Sequence, residues 1–125
     1  MPYKVLIVDD SKLARMSVAK ALMNLHPDWT RLEASNADEA LELARREAVD
    51  IALLDFNMPG RDGLALAADL RGLNTGMPLA VVSANFQEEI VNRARDVGAT
   101  FLTKPLTEQQ LRSFLDSATA RLPAR

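Results

Sequence analysis

The stretch from Ile51 to Gly60 limits what this chain can fold into more than any other. Ile51-Ala52-Leu53-Leu54 is too short to cross a membrane and too continuously apolar for a strand with one wet face. It therefore reads as a short strand buried on both sides. That strand ends on a carboxylate, Asp55, after which Pro59, Gly60, Asp62 and Gly63 stop the strand and turn the chain. The acid is expected to stand at the sheet's edge rather than inside it.

Around this strand the chain alternates. Tyr3 to Val8 is a near-continuous apolar run closed by Asp9 and Asp10. Ser11 suits the N-cap of a helix whose inward stripe is Ala14, Val18, Ala21, Leu22 and Leu25, ending before Pro27. Thr30 to Ala34 is a weaker strand, and Asn36 with Glu39 starts a second helix in the manner of a capping box. After the Ile51 strand, Leu66, Leu70 and Leu73 mark a third helix that Gly72, Gly76 and Pro78 are expected to end. Leu79 to Val82 is a fourth strand, closed by Ser83. A fourth helix carries Ile90, Ala94 and Val97, with Gly98 suited to the left-handed position past its end. Thr100 to Thr103 is a brief strand before Lys104-Pro105. Thr107 and Gln110 then cap a last helix striped by Leu111, Phe114, Leu115, Ala118 and Leu122. Five strand–helix repeats in this order predict an α/β fold, a parallel sheet with right-handed crossovers and helices on both faces.

Composition sets the outer bounds. The chain has 125 residues, 48% of them hydrophobic and 26% charged, which fits a single domain over 1–125 with a proper core. It contains no cysteine, which removes disulfides and thiolate chemistry and suits the reducing cytoplasm. The start passes into the first strand without a basic leader, and no apolar run approaches a membrane span. A net charge of −2 without a basic block argues against direct binding to nucleic acid.

In open α/β sheets ligands bind outside the carboxyl ends of the strands. The polar residues at those ends are Asp9 and Asp10, Asp55, Ser83 and Lys104; strand two supplies none. One known doubly wound order, 2-1-3-4-5, makes strands one and three neighbours and gathers these groups; the residues do not by themselves impose it. Crowded carboxylates repel: two charges about 4 Å apart cost roughly 4 kcal/mol at an effective dielectric near 20. A dication would relieve this, and oxygen donors without a nearby His or Cys point to Mg²⁺. Lys104 offers a point charge, Ser83 a hydroxyl and the turn after it a backbone N–H, all suited to a phosphoryl group. Asp55, between the metal and the Ser83/Lys104 side, is then placed to act as a carboxylate nucleophile.

These residues resemble the receiver domain of two-component response regulators, including its chemotaxis-type single-domain members. The resemblance is carried by Asp9-Asp10, by Asp55-x-x-Met58-Pro59-Gly60-x-x-Gly63, by Ser83-Ala84, and by Gly98-Ala99-x-Phe101-Leu102-x-Lys104-Pro105. It implies a flavodoxin-like (βα)₅ fold of strand order 2-1-3-4-5. It further implies that Asp55 takes a phosphoryl group from a phosphohistidine on a sensor histidine kinase or a histidine phosphotransfer protein. Mg²⁺ would be held by the Asp10 and Asp55 side chains and the Asn57 carbonyl, with Asp9 acting largely through water. Ser83, the Ala84 N–H and Lys104 would hold phosphoryl oxygens, across a Lys-Pro bond that is usually cis in the family. In the implied switch Ser83 moves towards the phosphate and Phe101 turns inward, re-forming the face of helix four, strand five and helix five. Phe101 stands where many chemotaxis-type members have tyrosine, and Asn57 and Asn85 stand where the family tunes acyl-phosphate lifetime.

Each residue also has a plainer role. Paired acids are commonly a solvated turn, Asp55 can cap a loop, Lys104 can be a surface charge and Phe101 can be core. His26, the only histidine, reads as a solvated helix-end residue, and Trp29 as packing over the first helix–strand connection. The implied protein is a signalling and binding module rather than an enzyme. Two alternatives remain: the receiver half of a longer regulator, and a Mg²⁺-dependent aspartyl-phosphate phosphohydrolase, which would want a second acid where Asn57 stands.

Overall fold

The computed structural model describes residues 3–84 and 87–122. The elements follow in the expected alternation: β1 (Lys4–Val8), α1 (Lys12–Leu25), β2 (Thr30–Ala34), α2 (Ala37–Arg46), β3 (Ile51–Asp55), α3 (Gly63–Leu73), β4 (Leu79–Ser83), α4 (Glu88–Asp96), β5 (Ala99–Thr103) and α5 (Glu108–Arg121). The strands form one parallel sheet in the order β2-β1-β3-β4-β5. This is the flavodoxin-like order, with β1 and β3 side by side at the point where the winding reverses.

The apolar strands are buried because each face of the sheet is covered. Leu6, Val8, Ala52, Leu54, Leu79 and Val81 pack on one side against α2, α3 and α4 through Ala40, Leu41, Leu66, Leu70, Ile90 and Ala94. Val5, Ile7, Ile51, Leu53 and Ala80 point the other way, to Leu22 of α1 and Leu111, Phe114, Leu115 and Ala118 of α5. The alternation is the two-residue period of a strand, and it makes β3 apolar throughout until Asp55.

Among the described residues, four of the five helix starts are set by side chains, α4 being the exception. Ser11, Asn36, Asp62 and Thr107 each accept a hydrogen bond from the backbone N–H three residues on, and Thr107 with Gln110 completes a capping box. The expected box at α2 is altered: the Glu39 carboxylate accepts from the Ser35 N–H and hydroxyl instead of from Asn36. The third helix does not stop at Gly72 but runs through it to Leu73, and Asn74 caps it. One glycine costs a helix about 1 kcal/mol, which the packing of Leu66 and Leu70 outweighs. Gly98 is left-handed, with φ 69°, as its place after α4 demanded. His26 is not simply solvated: its ring stacks on Trp29 with centroids 3.8 Å apart, and Trp29 meets Tyr3 edge-on. Among the described residues no helix is long and apolar enough to cross a membrane.

Candidate functional site

Strand alternation decides which side chains meet at the carboxyl edge. β1 turns Val5 and Ile7 towards the α1/α5 layer, and β3 turns Ile51 and Leu53 the same way. Asp9 and Asp55 are next in phase, so they belong to that layer too. One oxygen from each of Asp9, Asp10 and Asp55 lies within 4.8 Å of the others. Asp10 is exposed, whereas Asp9 is 8% and Asp55 only 5% exposed. Asp55 thus stands at the strand's end, as expected, but is buried there rather than open to the loop.

Lys104 follows β5 and brings its Nζ to 2.6 Å from Asp55 Oδ1. The contact is an ion pair without hydrogen-bond alignment, since Oδ1 is buried and accepts no hydrogen bond. The Lys104–Pro105 peptide is cis, as the resemblance implied. Asp9 is held from two sides. Its Oδ1 accepts the Ser11 N–H at 2.9 Å, and its carbonyl accepts Arg15 Nη1 at 2.6 Å. Burial pushes the Asp9 carboxyl above its ordinary range; the Ser11 N–H opposes this, and the neighbouring Asp55 charge adds to it. Three acids face one lysine, and a buried oxygen is left without a donor. Such an all-oxygen set fits a hard divalent cation, with Asp10 open to solvent for a water-bearing ion such as Mg²⁺.

The remaining candidates are distributed around this cluster rather than all within it. Ser83 ends β4 and is 3% exposed. Val82 lines the same space as Asp55 and Lys104, so Ser83 falls on the opposite face, in phase with Leu79 and Val81 on the α4 side. Its carbonyl accepts the Lys104 N–H at 3.1 Å, which ties the ends of β4 and β5 together. Ala84 is exposed just beyond, and Asn57 is exposed two residues after Asp55. Phe101 lies opposite Val81 and is half-buried against the α4-side core instead of fully inside it. Asn85 lies outside the described residues.

A cavity of about 270 Å³ opens beneath the acids, with Asp9, Asp55 and Lys104 at one end and Ala14, Val18, Leu53 and Leu111 among its walls. The small residues Ala14, Ser17 and Ala21 on α1 leave this space; their spacing was the available signal in the sequence.

Fold and edge together define a doubly wound module whose carboxyl edge is acidic and suited to a cation. The chain belongs to the response regulator receiver domain family, which matches residues 5–116. It is 34% identical over 122 residues to the transcriptional regulatory protein PdtaR of Mycobacterium tuberculosis, covering 97% of this chain and 58% of that protein. It is 40% identical over 118 residues to the positive alginate biosynthesis regulatory protein of Pseudomonas aeruginosa, covering 91% of this chain and 46% of that one. The chain spans about half the length of the curated relatives it matches. The chemotaxis protein CheY4 of Vibrio cholerae superposes with a TM-score of 0.86 at 27% identity, over 94% of this chain and 99% of that one. Receiver domains are signalling modules of two-component systems. They are phosphorylated on aspartate, bind Mg²⁺ at an acidic cluster and interact with histidine kinases or phosphotransfer proteins.

Proposed function

We propose that residues 1–125 act as one receiver domain that accepts a phosphoryl group on Asp55 and thereby controls the binding of a protein partner. The observation that carries this is the buried Asp55 carboxylate, 2.6 Å from Lys104 Nζ and clustered with Asp9 and Asp10. An Asp55 oxygen attacks phosphorus as the bond to the donor's imidazole nitrogen breaks; the electron pair returns to that nitrogen, which takes up a proton. Asp9, Asp10, Asp55 and the Asn57 carbonyl would hold Mg²⁺, which when bound offsets the charge of acids and phosphoryl oxygens. Lys104 pairs with the phosphoryl group, and the Ser83 hydroxyl and Ala84 N–H receive its other oxygens. The donor is a sensor histidine kinase or histidine phosphotransfer protein, and the place of action is the cytoplasm.

Ser83 and Phe101 belong to the α4 side of the sheet, which supports a switch that re-forms the α4, β5 and α5 face. Its reach is limited. Moving a conformer from 1:99 to 99:1 takes about 5.5 kcal/mol, while one hydrogen bond to a charged group contributes roughly 1.5–3 kcal/mol. Phosphorylation therefore shifts the population in part, and partner binding completes the shift. Equal partner affinity for both forms would contradict this.

The test is incubation with acetyl phosphate and Mg²⁺, read by intact mass. One phosphoryl group should be added to the parent and none to Asp55→Asn or in chelator. Labelling that survives Asp55→Asn would remove Asp55 from the mechanism. A second reading, the receiver half of a longer regulator, is favoured by coverage of 58% and 50% of the first relatives' lengths. The length of the native reading frame decides between the two.

A further inference from the structure

α3 begins almost in contact with the strand that carries Asp55. The segment from Phe56 to Asp62 leaves β3 and returns so that the Gly63 N–H donates to the Phe56 carbonyl at 3.0 Å. Asp62 caps the new helix by accepting the Ala65 N–H at 2.8 Å, and Arg93 of α4 lies 3.6 Å from the same carboxylate. Met58 is buried within the loop. The loop that carries Asn57 is therefore closed at its base by Gly63.

At that base there is no room for a side chain. A Cβ on Gly63 would lie 2.3 Å from the Asp55 carbonyl oxygen, 2.9 Å from its carbon and 3.0 Å from Phe56 Cα. All three are backbone atoms at the end of a central strand, so no side chain can rotate away to relieve the contact. Nor is the glycine there for its conformational range, because the glycines with positive φ are Gly60 and Gly98. As the first residue of a helix, Gly63 is a poorer choice than alanine by propensity alone. What its absent Cβ supplies is close approach.

We infer that Gly63 is a positioning residue for the metal and phosphoryl site: its missing Cβ lets α3 hold the Asp55 backbone, and with it the Asn57 carbonyl, in working register. This rests on the function proposed above. Bringing the 2.3 Å approach out to the 3.0 Å that real Cβ contacts respect separates the start of α3 from the Asp55 carbonyl by about 0.7 Å. A catalytic constellation tolerates only about 0.5 Å. Errors near 1 Å cost about 10²-fold in rate, and loss of support around a metal ligand costs about 10- to 100-fold in affinity.

The other glycines supply controls. Gly72 and Gly60 have nothing within 4 Å of an added Cβ, and of these only Gly60 has a positive φ, 81°. In Gly63→Ala, Mg²⁺ affinity by isothermal titration calorimetry, well below the melting temperature, should fall at least about tenfold. The rate of acetyl phosphate labelling at saturating Mg²⁺ should fall about 10²-fold. Gly72→Ala should match the parent in both. If Gly63→Ala melts too low to measure, the double variant with Gly72→Ala in trimethylamine N-oxide keeps the measurement on folded protein. A folded Gly63→Ala that binds Mg²⁺ and labels like the parent overturns the inference alone. So does a variant that stays unfolded under those conditions, since the contact would then serve folding rather than the site. A parent that takes up neither Mg²⁺ nor phosphoryl removes the proposed function and this inference together.

Discussion

The two edges of the sheet treat charge in opposite ways. At the amino edge, the Arg71 guanidinium at the end of α3 donates to five backbone carbonyls. Nε reaches Val97 at 3.0 Å, Nη2 reaches Gly98 at 3.0 Å, and Nη1 reaches Asn74 at 3.5 Å, Thr75 at 3.0 Å and Met77 at 2.7 Å. At the same edge the buried Asp50 carboxylate accepts the Lys4 N–H at 2.8 Å, and the Lys4 ammonium pairs with Glu47 at 3.0 Å. At the carboxyl edge three carboxylates share one lysine, and Asp55 Oδ1 is buried without a hydrogen bond. A folded chain normally satisfies its buried polar groups. The amino edge does so for stability, and the carboxyl edge leaves a deficit that a cation and a phosphoryl group would fill.

The contrast can be broken by substitution, beginning with the largest effect. Asp10→Asn should abolish measurable labelling by acetyl phosphate. Without Mg²⁺ it should nonetheless melt no lower than the parent, because a crowded charge has been removed; a clear drop would show that the acids are not in conflict. Arg71→Ala should do the reverse. It should lower stability by about 3 kcal/mol, since some of the freed carbonyls are only partly exposed. This is a melting shift of roughly 10 °C for a domain of this size. Labelling at low temperature should persist. Arg71→Lys should not rescue it, as one ammonium cannot reproduce a planar fork of five donors. Next, Mg²⁺ at about ten times its dissociation constant should stabilise the parent by about 1.4 kcal/mol, and should leave the melting of Asp10→Asn unmoved.

The smallest effect is one of pH, beyond the acid cluster, at the end of the outer strand β2. The Glu39 carboxyl is held below its ordinary value of 4.5 by the Ser35 hydroxyl first and the Ser35 N–H second. A depressed carboxylate stabilises the fold above its unfolded value, and that contribution is lost as pH falls through the folded one. Ser35→Ala should therefore melt slightly lower than the parent at neutral pH and converge with it in acid. A difference that persists unchanged in acid would count against this assignment.

Most of the fold was legible because its causes are local. Apolar runs, caps such as Ser11 and Thr107, and the left-handed Gly98 each act within a few residues. The acids and Lys104 were legible as a set because strand ends are easy to locate and parallel order brings them together. Arg71 was not, because its partners at Val97 and Gly98 are carbonyls 26 and 27 residues away, and backbone acceptors leave no trace in a sequence. Gly63 looked like a turn residue; the need for space at its Cβ appears only when α3 is laid against β3. The persistence of α3 through Gly72 is likewise a tertiary effect that overrides local preference.

Consecutive side chains on a strand face opposite sides, so a step of one residue along β4, from Val82 to Ser83, crosses the whole thickness of the sheet. Asp9, Asp55 and Lys104 stand above one layer of helices, while Phe101 and α4 belong to the other. If Asp55 is modified as proposed, no relay of packed residues through the core is required, because Val82 and Ser83 face the two layers from adjacent positions at the rim. Lengthening β4 by one residue ahead of Ser83 would turn the hydroxyl to the α1 and α5 side and move the carbonyl that accepts the Lys104 N–H.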